Sequence, residues 1–101
     1  MSATEIEAFT AEARAAGYDE VLERRWPPDL VLDAHTHPFA ARALVTEGEL
    51  WLTVGDTVRH LRPGDRFELG YEQAHAERYG AQGAGYWVAR RRAPSDKGLT
   101  A

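Results

Sequence analysis

The period of apolar and polar positions changes once along this chain, near residue 17. Before it, Ile6, Phe9, Ala13 and Ala16 recur at helical spacing and form one narrow apolar stripe on an otherwise polar segment. Ser2 with Glu5 and Thr4 with Glu7 each fit a capping box, and the acidic first turn complements the helix dipole. Gly17 supplies a stop. The spacing predicts a helix over 1–16 that lays its stripe across the outside of whatever follows. From Tyr18 onward the pattern is one of short β segments, predicted over 20–26, 31–37, 43–46, 50–54, 57–61, 66–69, 74–79 and 85–91. Turns are expected at Pro27-Pro28-Asp29, Glu47-Gly48-Glu49, Gly55-Asp56, Arg62-Pro63-Gly64-Asp65, Gly70–Gln73 and Gly80–Ala84, with the chain reversing at Gly48. Short strands at such regular spacing indicate an antiparallel sandwich or barrel. The expected fold class is therefore all-β with one N-terminal α-helix. One domain is expected, made of a helical segment 1–17, a barrel 18–91 and a patternless, loose tail 92–101.

Composition narrows the function classes. A chain of 101 residues builds one modest core. The net charge of −4 argues against a nucleic-acid partner, and the only charge run, Arg90-Arg91-Arg92, reads as a solvated strand end. There are no cysteines, so neither disulfides nor thiolate metal sites arise. No apolar run approaches the roughly 20 residues that span a bilayer, and the N-terminus lacks the basic and apolar regions of a signal peptide. No membrane contact and a cytoplasmic location are the expectations.

Within that frame one stretch carries chemistry. Side chains on a strand alternate between faces, so His35 and His37 present two imidazoles side by side, with Asp33 on the same face. Two such imidazoles suit a divalent transition metal, or are simply two histidines on a wet strand; the pair alone leaves both readings open.

The remaining glycines and histidines add a resemblance. Cupins carry a first motif G-x5-H-x-H-x3,4-E-x6-G and a second G-x5-P-x-G-x2-H-x3-N. His35, His37 and Gly48 match the first and Gly64 and His75 match the second, at the right spacing. The resemblance covers about residues 25 to 91, and the whole chain is similar to small single-domain cupins with a leading helix. The departures are Asp29 for the first glycine, Ala41 for the glutamate, Gly70 for the proline, Glu72 for the second glycine and Tyr79 for the asparagine.

The resemblance implies a jelly-roll barrel in which His35, His37 and His75 are ligands of a divalent transition metal: iron, zinc, nickel, copper or manganese. The family's glutamate is also a ligand, and Ala41 cannot coordinate. Asp33 is a candidate for orienting an imidazole, Glu72 for replacing the missing carboxylate, and Tyr79, less so Tyr71, for turning a phenol toward the cavity. His60 matches no motif position and reads as a surface histidine. Phe39, Val45, Leu52, Phe67 and Trp87 are the expected cavity walls. Trp51, of opposite parity to Leu50 and Leu52, is expected outside, at a homodimer contact of the kind cupins often form, or beneath the helix. The function implied is a small metal-dependent enzyme, oxygenase-like or a hydrolase/isomerase, acting on a small polar or anionic molecule. The alternative is a non-catalytic cupin that binds and senses a small molecule.

Overall fold

Ser2 opens the first element as an N-cap. Its hydroxyl oxygen accepts from the Glu5 amide at 3.2 Å, which is one half of the expected capping box, and its hydroxyl donates to the Glu5 carboxylate at 3.3 Å. The structure is a computed structural model, and it describes residues 2–92. Helix α1 (Ala3–Ala15) buries Phe9 and Ala13 and ends at Gly17, whose φ of 92° is left-handed. No helix among the described residues is long and apolar enough to cross a membrane. Beyond Arg92, the tail expected from the sequence lies outside the described residues.

Six strands follow: β1 (Glu20–Trp26), β2 (Val31–His35), β3 (Phe39–Val54), β4 (Thr57–Leu61), β5 (Arg66–Leu69) and β6 (His75–Arg92). All the pairings are antiparallel. Strands β3 and β6 are long, pair along most of their length, and bend together, so each contributes to two sheets. The first half of β3 and the second half of β6 lie between β5 and β1, while their other halves lie between β4 and β2. The result is an antiparallel two-sheet barrel with one helix, the fold class expected.

The bends correct one expectation. Glu47-Gly48-Glu49 and Gly80–Ala84 are not hairpin turns; the chain runs straight on through both, with bulges around Glu47 and between Gly48 and Leu50. Positive φ is what a hairpin and a bulged corner have in common, so the glycine signal does not separate them. Gly48 (φ 68°) and Gly83 (φ 70°) are packed against backbone: a Cβ on Gly48 would collide with the Gly83 carbonyl oxygen, and one on Gly83 with that of Trp26. Gly48→Ala is therefore expected to cost at least about 2 kcal/mol, from backbone strain and from forcing the corner apart. A urea melt with no shift in midpoint would show that the corner can open.

Each bulge also switches parity. Ala41, Ala43 and Val45 face inward before the β3 corner, and Leu50 and Leu52 after it. On β6 the inward set passes from His75, Glu77 and Tyr79 to Ala84, Tyr86 and Val88. The opposite face of the first sheet presents Ala40, Leu44 and Ala89 to Phe9 and Ala13 of α1. Trp87 packs in that helix-side cluster and not in the cavity, because the parity step at the corner turns it outward. Trp51 does face away from Leu50 and Leu52, half-buried between the His60 ring (4.5 Å, interplanar 2°) and the Arg78 guanidinium (4.1 Å).

Candidate metal centre

His35 ends β2 and pairs directly with His75 at the start of β6, so backbone hydrogen bonding itself sets these two rings side by side. His37 lies in the short link before β3. There its carbonyl accepts the Glu72 amide at 2.8 Å and its ring stacks on Phe39 at 4.8 Å. The three rings converge with centroids 4.8 Å (His35–His37), 4.4 Å (His35–His75) and 5.2 Å (His37–His75) apart. One ligand atom from each lies within 4.8 Å of the others.

Two of the rings are oriented by backbone. Nδ1 of His35 lies 2.7 Å from the Asp33 carbonyl, and Nδ1 of His75 lies 2.9 Å from the Gln73 carbonyl. A carbonyl only accepts, so Nδ1 carries the hydrogen and Nε2 bears the lone pair. That is the arrangement in which imidazole coordinates a metal. His37 is held below the ordinary imidazole pKa of 6.5, chiefly by burial, then by the charges of His35 and His75 and of Arg90 and Arg24. Its neutral, metal-binding form is thereby favoured. The donor set fits a divalent transition metal.

The rings look into a cavity of about 90 Å³, bounded by Trp26, Phe39, Ala41, Phe67 and Tyr86, with Arg24 and Arg90 also on its wall. Of the expected walls, Phe39 and Phe67 line it, and Val45 and Leu52 pack deeper in the same core. The carboxylate in this cavity belongs to Glu77, which the sequence reading did not single out. Glu77 is only 6% exposed; its Oε1 accepts from the Tyr79 hydroxyl at 3.0 Å and its Oε2 stands 3.6 Å from His35 Nε2. Burial pushes the Tyr79 phenol well above its usual range and raises that of Tyr86, with the Glu77 charge adding to both. Both therefore stay neutral; Tyr79 donates to Glu77, and the Tyr86 hydroxyl accepts from the Trp26 indole N–H at 2.9 Å.

Comparison with solved structures places this architecture. The backbone matches an RmlC-like cupin from Shewanella frigidimarina with a TM-score of 0.63 at 19% identity, over 76% of this chain and 68% of that one. The chain has the cupin fold. The DMSP lyase DddQ from Ruegeria pomeroyi matches with a TM-score of 0.61 at 25% identity, over 73% of this chain and 36% of the lyase. A variant of oxalate decarboxylase from Bacillus subtilis matches with a TM-score of 0.64 at 18% identity, over 71% of this chain and 20% of the decarboxylase. The chain thus spans a minor part of those two proteins. The sequence itself matches no protein-family model and no curated protein.

The other candidates fall at different places in this cupin barrel. A bulge between Leu32 and His35 sets three steps on β2 against two on β6, which turns Leu32 into the cavity and leaves Asp33 exposed. Asp33 orients His35 through its carbonyl and not its carboxylate. Glu72 sits exposed in a turn at φ 54° and serves His37 through its amide. Tyr79 is fully buried, stacked on Trp26 at 5.5 Å and bonded to Glu77. Tyr71 packs on the helix side, where its hydroxyl accepts from Arg91 at 2.9 Å. His60 is held by Glu49 at 2.6 Å on the outer face. The arginine run is not simply a solvated end: Arg90 lies over Phe39 at 4.7 Å, and Arg91 also donates to the Ala16 carbonyl at 3.1 Å. Arg92 is exposed.

Proposed function

We propose that this cupin binds a divalent transition metal on His35, His37 and His75 and is a metal-dependent enzyme acting on a small anionic molecule. The observation that carries the reading is the pair of Nδ1–carbonyl contacts, which leave two Nε2 lone pairs beside the third ring at the wall of a cavity. A bound divalent ion supplies a Lewis acid there, lowering the pKa of a bound water or polarising a substrate oxygen. The protein shapes the rest. Trp26, Phe39, Phe67 and Tyr86 exclude bulk water, and a cavity of about 90 Å³ admits only a small molecule, far below the roughly 300–1,000 Å³ of a drug-sized pocket. Arg24 and Arg90 stand at its wall with the Glu77 carboxylate, Arg90 being paired with Glu20 at 3.3 Å, and a bound divalent ion tips this balance toward an anion. Cupin-fold neighbours named as a lyase and a decarboxylase show that this architecture carries such enzymes.

The direct test is elemental analysis of the purified protein, followed by zinc titration of the metal-stripped chain. One ion per chain is expected. A chain that takes up none, while remaining folded, would overturn the reading.

A further inference from the structure

Glu77 and His35 meet carboxylate to imidazole at the wall of this cavity. Nδ1 of His35 gives its hydrogen to the Asp33 carbonyl, so Nε2 presents a lone pair. Oε2 of Glu77, 3.6 Å from that nitrogen, also presents only lone pairs, and no hydrogen bond from a described residue reaches it. With His35 neutral, two acceptors face each other at the cavity wall, one of them on a side chain only 6% exposed, and either a proton on Nε2 or a metal cation between them relieves the contact. The other carboxylate oxygen is fixed by Tyr79, so Glu77 cannot simply swing to water without losing that bond. Its position follows from strand alternation: His75, Glu77 and Tyr79 share the inward face of β6.

We propose that Glu77 is the fourth protein ligand of the metal held by His35, His37 and His75. The spacing suits the role. Two ligands each about 2.1 Å from one ion stand roughly 3.0 to 3.4 Å apart in octahedral or tetrahedral geometry. The separation of 3.6 Å between Glu77 Oε2 and His35 Nε2 is close to that span. Ala41, on a different strand, offers no donor, and Glu77 supplies the carboxylate from the neighbouring sheet wall. With it, the ion's charge is reduced by one unit and its preference moves toward oxygen-tolerant ions such as manganese or ferrous iron. Tyr79 then acts as a positioning residue, holding the carboxylate in the orientation that exposes Oε2.

The proposal rests on the three-histidine reading, and the test separates the two. Metal-stripped wild type and Glu77→Gln are titrated with manganese(II) and with zinc(II) by calorimetry. The amide keeps the size of the side chain and an oxygen for Tyr79, but loses the charge. Manganese affinity is expected to fall at least about thirtyfold and zinc affinity less than about tenfold, so the ratio between the metals changes. Equal affinities in wild type and Glu77→Gln, for both ions, overturn the proposal while leaving the histidine site intact; no binding to wild type overturns the site itself. If the variant does not fold, difference infrared spectroscopy of the wild type on adding zinc decides. A shifted carboxylate band is expected, and an unchanged carboxylate region would sink the assignment.

Discussion

Replacing His75 with alanine is expected to strip the protein of metal. His75 is 4% exposed, its ring is fixed by the Gln73 carbonyl, and its strand pairs it with His35, so nothing nearby can take over its lone pair. Losing a hydrogen-bonded supporting residue from a metal site costs about 10- to 100-fold in affinity, and losing a ligand costs more. Zinc affinity should therefore fall by more than about a hundredfold, with His35→Ala and His37→Ala behaving alike. His60→Ala is the control: His60 bonds to Glu49 on the outer face, and its loss should leave metal content unchanged. Acid should release the metal from the wild type as imidazoles gain protons. The sign is set by His37: its pKa is lowered, so proton competition at that ligand begins only as pH falls below the ordinary 6.5. Metal retained by His75→Ala but lost from His60→Ala would mean that the histidines had been assigned to the wrong faces.

The three histidines were legible from motif spacing and resemblance more than from strand alternation, because β2 ends at His35 and His37 lies in the link beyond it. His35, His37 and His75 could be placed together from spacing and family resemblance, and the rings do converge. Alternation fails wherever a bulge intervenes, because one extra residue reverses every face beyond it. That is why Asp33 lies outside and Leu32 inside, and why Trp87 belongs to the helix and Tyr86 to the cavity. Bulges have no side-chain signature of their own; Gly48 and Gly83 announce a positive φ but not whether the chain reverses or continues. The eight segments expected from the sequence are the strand segments seen, with two pairs fused through corners into β3 and β6. Glu77 is a different kind of omission. It stands two residues from His75 on an unbulged stretch, so the alternation used for His35 and His37 would have brought it in. An acidic residue at an inward position, followed two residues later by a tyrosine, was the available signal.

The same logic links the two sheets to the chemistry. The helix-side cluster that includes Phe9, Ala13, Tyr18, Leu44 and Ala89 holds the outer face of the first sheet, with the Arg42 and Arg91 guanidinium groups over Tyr18. The buried ionisable side chains among the described residues, His75 and Glu77, lie on the inner face, where β2 and the start of β6 meet the link before β3. A rigid, separately packed back wall of this kind lets the ligand-bearing ends keep their geometry at a cost in buried polar groups.

Ala41→Glu is expected to rebuild the centre. Ala41 is 5% exposed, lines the cavity, and has Leu69 and Arg90 as its cross-strand neighbours. A glutamate there adds a second carboxylate to a cavity of about 90 Å³, filling much of the space a small ligand would use. Ordinarily a buried, unpartnered carboxylate destabilises a fold by several kcal/mol. Here Arg90, already paired with Glu20 at 3.3 Å, stands beside it, and a bound divalent ion would offset the charge further, so the metal-loaded variant should remain folded. The metal-free variant has only the arginine to balance it and should melt at a lower temperature than wild type. Loading should therefore raise the melting temperature more in Ala41→Glu than in wild type, and competition should favour manganese over zinc by about tenfold or more relative to wild type. If the variant is stable with and without metal and its preference is unaltered, position 41 does not address the ion, and the open side of the centre lies elsewhere on the cavity wall.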